Sequence, residues 1–199
     1  MRPISNVKPG DYAVSLPRPD DCVSEVTNKH NGGKFIITSP ICMYEFGYSF
    51  PLQGFVTEVF RYYNPSSTQL HLNGWTILSA LNKFLRMLDK ESTVRIFRQC
   101  HTLISSVERV PFFPCFFNFA NSPKGLMRET FKWNSSRSKS WRGKWVVVSY
   151  HGTMKPQDRY SATSGCTHYW RAPPSSVNDK PFLNTKEEKV CAGLDTLRI

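Results

Sequence analysis

The stretch that decides the fold is Leu52-Gln-Gly-Phe-Val-Thr-Glu-Val-Phe-Arg-Tyr-Tyr63. Its apolar residues fall at 52, 55, 56, 59, 60 and 63, the i, i+3, i+4, i+7, i+8 spacing of one buried helical face. Pro51 suits a first helical turn, and Asn64-Pro65 stops the helix because the residue before proline is driven out of the α region. The same grammar returns from Asn73, a candidate cap, to Leu88, where Ile77, Leu78, Leu81, Phe84, Leu85 and Leu88 repeat the stripe. A shorter helix is expected after Ser92, with Val94, Phe97, His101 and Ile104 along one side.

Beyond Pro111 the pattern changes to short, aromatic and β-branched runs. Phe112–Phe119 and Trp145-Val-Val-Val-Ser-Tyr150 read as strands, with Phe131-Lys-Trp133 a third between them. Helices first and strands second imply an α+β fold, with two or three helices forming a layer followed by a small antiparallel sheet. Residues 1–40 carry five prolines and read as an extended or poorly ordered lead, with one short strand at Lys34–Thr38. Residues 151–199 hold four more prolines and read as an irregular tail that wraps the surface or is mobile. The domain proper is placed at 41–150.

Composition narrows the function classes. The 199 residues are 40% hydrophobic and 14% aromatic, enough for a core and too apolar for a polyelectrolyte. No apolar run approaches the ~18 residues of a membrane span. The first 21 residues lack the apolar centre of a secretory signal, so the expected setting is intracellular, nucleus or cytoplasm, with reduced thiols and no membrane partner. The six cysteines form no C-x-x-C pair, and Cys100 and Cys115 sit among apolar neighbours as small core residues rather than zinc ligands. No phosphate-loop, dinucleotide, zinc-protease or nucleophile-elbow motif occurs, and no local pairing of carboxylates suggests a metal-dependent nuclease or transposase. His71 and His101 read as helix-end or packed residues rather than general bases. No enzyme activity, cofactor, metal site or small-molecule substrate is expected.

Charge is the positive signal. Twenty-six Lys and Arg against fifteen Asp and Glu give +11, a balance that favours polyanionic partners. Seven of those cations crowd into residues 124–145: Lys124, Arg128, Lys132, Arg137, Lys139, Arg142 and Lys144, against Glu129 alone. Trp133, Trp141 and Trp145 are interleaved with them. Cations on phosphates and indoles stacked on unpaired bases are how single-strand binders work. The expected contact residues are the seven cations and Trp141, with RNA or single-stranded DNA as partner. Trp145 heads an apolar strand and reads as core. Four serines, Ser135, Ser136, Ser138 and Ser140, make the segment open to phosphorylation that would cancel its charge.

Several pieces in order also carry a family likeness. These are Tyr44-Glu-Phe-Gly-Tyr-Ser-Phe-Pro-Leu52, then Phe55-Val56 and Glu58-Val59, Gln69-Leu-His-Leu-Asn-Gly-Trp75, Ser136-Arg-Ser-Lys-Ser-Trp-Arg142 and Trp145-Val-Val-Val148. Together they resemble the plant gypsy-type transposon domain, a gag-like region of LTR retrotransposons and their genomic relics. The likeness covers about residues 40–150, with a weaker echo at Tyr169-Trp170 and Pro173-Pro174. It implies a non-enzymatic protein that packages RNA and self-associates, and it carries over no catalytic residue. The chain departs from complete gag proteins in having no zinc knuckle, and Ser138 and Gly143 loosen the pattern around Trp141. The competing expectation is a homo-oligomeric assembly module, its first two helices offering an exposed apolar face to a second copy.

Overall fold

The apolar stripe of the quoted stretch forms helix α1, Gly54–Tyr63, with Phe55, Val56, Val59, Phe60 and Tyr63 buried. In the computed structural model the residues described are 12–16, 35–38, 48, 52, 54–106, 116–121, 145–150 and 176–196. At the end of α1, Asn64 takes a left-handed conformation (φ 53°), a position asparagine tolerates, and Pro65 follows. Helix α2, Leu72–Met87, is capped two residues earlier than expected: its cap is His71, whose Nδ1 accepts the Asn73 backbone N–H at 3.1 Å, and Asn73 lies inside the first turn. It ends in a paired 6→1 and 5→2 arrangement, Lys90 N–H to Leu85 O and Asp89 N–H to Arg86 O, with Asp89 left-handed (φ 54°) where glycine is usual.

Helix α3, Val94–Cys100, is capped by the Thr93 hydroxyl, which accepts the Ile96 N–H. It is shorter than the stripe suggests. The backbone turns extended at His101 (φ −132°, ψ 147°) and continues directly as strand β3, His101–Ser106. His101 and Leu103 are buried while Ile104 is 44% exposed, a period of two rather than 3.6.

The chain is α+β: four helices and two small antiparallel sheets among the described residues. In chain order the other strands are β1 (Tyr12–Ser15), β2 (Phe35–Thr38), β4 (Phe116–Asn121) and β5 (Val146–Tyr150). One sheet has the order β1-β5-β2, with Val14 opposite Val148 and Ile36 opposite the same residue from the other side. The other pairs β3 with β4, His101 opposite Asn121 through Ser106 opposite Phe116. Leu70 extends it by a parallel bridge to Phe117, sealed by His71 N–H to Phe117 O and Phe117 N–H to Gln69 O. Strand β2 lies where it was expected, whereas β1 was not foreseen. The proposed strand at Phe131-Lys-Trp133, and Cys115, lie outside the described residues.

The C-terminal segment is the main departure from the sequence reading. Instead of an irregular tail throughout, residues 176–196 dock on the domain and end in helix α4, Thr185–Thr196. Val177, Val190, Cys191 and Leu194 join the core formed by α1, α2, α3 and the β3–β4 sheet. That core is aromatic: Phe97 meets Phe119 at 4.7 Å and Tyr63 meets Phe119 at 5.2 Å, both edge-on, and Phe60 leans on Trp75 at 5.1 Å. Such pairs add about 0.5–1.5 kcal/mol each beyond area burial. Most of the apolar stripes of α1 and α2 face this core, with Phe60 and Leu78 fully buried, whereas Met87 and Leu88 at the end of α2 stay exposed.

Candidate functional site

Cys100, Cys191 and His101 are buried, and their surroundings hold them in the neutral, unreactive form. Burial pushes the Cys100 thiol up to about 12 and the Cys191 thiol up to about 11. A reactive cysteine needs the opposite, a thiolate stabilised by nearby positive charge. Burial drives the His101 imidazole down to about 4, against the pull of the Ala120 backbone and the Asn121 side chain. It packs at 4.9 Å on the Phe97 ring as a neutral core residue. His71 serves as the cap of α2. Burial likewise raises the Tyr63 hydroxyl above its ordinary value. Among the described residues no three His, Cys, Asp or Glu side chains gather as metal ligands. No described helix is long and apolar enough to cross a membrane.

The sequence-predicted contact residues Lys124, Arg128, Lys132, Arg137, Lys139, Trp141, Arg142 and Lys144 lie outside the described residues, as does Trp133. What the fold does fix is where that segment leaves and re-enters: it departs after Asn121 at the end of β4 and returns at Trp145, directly before β5. Trp145 is partly buried and Val147, two residues on, is fully so. The described residues are close to electroneutral, with nine Lys and Arg against seven Asp and Glu. The cationic excess of the chain thus belongs mostly to the remainder, and the 124–145 run is its densest part.

One cationic feature escaped the sequence reading. The C-terminal end of α2, the turn after it and the first half of α4 enclose a groove of about 680 Å³. It is lined by Arg86, Asp89, Lys90, Glu91, Lys186, Lys189 and Val190. Four cations face two carboxylates there. Lys186 pairs with Glu91 at 3.4 Å, but both side chains are more than 70% exposed, so the pair holds the groove only weakly. Arg86, Lys90 and Lys189 make no side-chain hydrogen bond or ion pair among the described residues. No local signal could have found this set, because the 86–91 and 186–190 segments meet only in the folded chain.

The position of α4 beside that groove depends on Glu187. Asn184 and Glu187 form a reciprocal capping box: Glu187 N–H donates to Asn184 Oδ1 at 2.9 Å and Asn184 N–H donates to Glu187 Oε2 at 3.0 Å. The same carboxylate accepts the Thr93 hydroxyl at 2.8 Å and approaches Arg95 at 3.5 Å, so one acid ties the starts of α3 and α4 together. Burial alone would raise its pKa. The Asn184 N–H, the Thr93 hydroxyl and the Arg95 guanidinium outweigh that and hold the carboxyl below its ordinary value. Ahead of α4, the Asn178 amide grips the outer edge of β3, accepting Leu103 N–H at 2.8 Å and donating to Leu103 O at 2.9 Å. Arg98 stacks over the Tyr62 ring at 4.0 Å and donates to the Asp179 carbonyl, fixing the same strap. Compared with family models, characterised proteins and solved structures, the chain finds no match.

Proposed function

We propose that the chain is a non-enzymatic, retrotransposon-derived gag-like protein that binds single-stranded nucleic acid, RNA or DNA, through residues 124–145. The observation that carries this reading is the contrast in charge: seven cations and three tryptophans against one acid in that segment, beside described residues whose charges nearly cancel. A charge excess concentrated in one short run, which holds more than half of the chain's +11, is what a phosphate-binding segment requires, since a stable core needs no such imbalance. The indoles offer faces for bases, and stacking contributes about 1–3 kcal/mol per base in a sequence-tolerant way. The inert character of Cys100, Cys191 and His101 supports the non-enzymatic part.

The test is fluorescence anisotropy with a labelled oligonucleotide across a salt titration. Wild type binds with a log–log slope of about −0.7 for each phosphate neutralised. The triple variant Arg137→Ala, Lys139→Ala, Arg142→Ala flattens that slope by about 2. A slope untouched by the triple variant refutes the segment as the contact surface.

A further inference from the structure

We propose that the groove between the end of α2 and the start of α4 is a second binding surface for the sugar–phosphate backbone of a single strand. The inference rests on the nucleic-acid reading above for the identity of its anion, but on different residues. Four of the nine described cations line this one feature. Elsewhere Arg95 and Arg98 are employed structurally, Arg95 on Glu187 and Arg98 on Tyr62 and the Asp179 carbonyl. Arg86, Lys90 and Lys189 have no such work, and all three are exposed. Four cations against Asp89 and Glu91 leave the groove with a net positive charge, which favours an anion there.

The lining favours backbone over base. Among the described residues Val190 is the one apolar group lining the groove and no aromatic ring does, so none of them would stack a nucleobase. A volume of about 680 Å³ leaves room for a short run of sugar and phosphate rather than a single ion. Lys186 would join the set by exchanging its partner Glu91 for a phosphate oxygen, at little cost because the pair is exposed to solvent.

The experiment uses the full chain and a labelled 20-nucleotide oligothymidylate, with affinity measured from 50 to 200 mM salt. The groove variant is Arg86→Ala, Lys90→Ala, Lys189→Ala, and Glu91→Gln is its opposite, removing an acid and freeing Lys186. Loss of three phosphate contacts flattens the slope by about 2, so wild type loses about 20-fold more affinity over this salt range than the groove variant. Glu91→Gln binds more tightly than wild type at every salt concentration. If the groove variant and Glu91→Gln both match wild type while the Arg137/Lys139/Arg142 variant flattens the slope, the groove is refuted and the segment reading stands. If only the groove variants act, the groove stands and the segment reading falls. Absence of binding by wild type at 50 mM salt overturns both.

Discussion

Replacing Glu187 tests whether the C-terminal helix is held by one buried carboxylate. The acid is 5% exposed and accepts from the Thr93 hydroxyl, the Asn184 amide and Arg95. Glu187→Ala removes half of a capping box, about 1 kcal/mol. It also removes a charge-assisted hydrogen bond to the Thr93 hydroxyl, about 1.5–3 kcal/mol. The Arg95 side chain is 53% exposed, and its share is left at zero. The expected loss at pH 7 is therefore about 3 kcal/mol, and for Glu187→Gln, which keeps one acceptor, about 1 kcal/mol. The pH dependence gives the sharper test. A carboxyl whose pKa is lowered by folding stabilises fully above its unfolded value, and that contribution is lost as pH falls through the folded value. The stability gap between wild type and Glu187→Gln is thus constant near neutrality and closes as pH drops below the ordinary carboxylate range. Urea unfolding followed by tryptophan fluorescence reports it, since Trp75 is buried in the core that α4 completes. A gap that stays the same between pH 7 and pH 2.5, or no gap at pH 7, refutes the reasoning.

Two further substitutions probe how the loop and strap are seated. Gly74 stands in the first turn of α2, and a Cβ there would come within 2.5 Å of Leu70 Cδ1 and 2.9 Å of its Cγ. Leu70 is buried, so the ~1 kcal/mol of helix propensity gained by Gly74→Ala is outweighed by overpacking of about 1–3 kcal/mol; a rise in melting temperature would contradict this. Asn178→Asp turns the donor facing the Leu103 carbonyl into a second acceptor, so it destabilises by about 1–2 kcal/mol and by more than Asn178→Ser does. Equal melting temperatures for the two variants would show that the strap is not held by this amide.

How much of this was legible in the sequence follows from the range of the forces involved. Helices α1 and α2 were readable because each buries most of one apolar stripe, and the stripe repeats over several turns. The α3–β3 junction was not, because Val94, Phe97, His101 and Ile104 satisfy a helical period while His101, Leu103 and Ile104 also satisfy a strand period. Pairing with β4, which lies beyond the reach of a local window, decides between them. Strand β1 is four residues whose partner β5 begins more than 130 residues later, so its existence is a tertiary fact. Helix α4 has only three apolar residues to bury, Val190, Cys191 and Leu194, and therefore a faint stripe. Its start was nevertheless written in Asn184-Thr-Lys-Glu187, a capping-box pattern that outranks the proline at 181 as a local signal. The two cationic surfaces divide the same way. The 124–145 run is a local accumulation of charge and is visible in composition alone. The groove exists because a capping box and Thr93 bring Lys186 and Lys189 to the end of α2. If the groove binds as proposed, a substitution at Glu187 that loosens α4 lowers affinity in the same salt titration without touching a single cation that lines it, and unchanged affinity would count against that link.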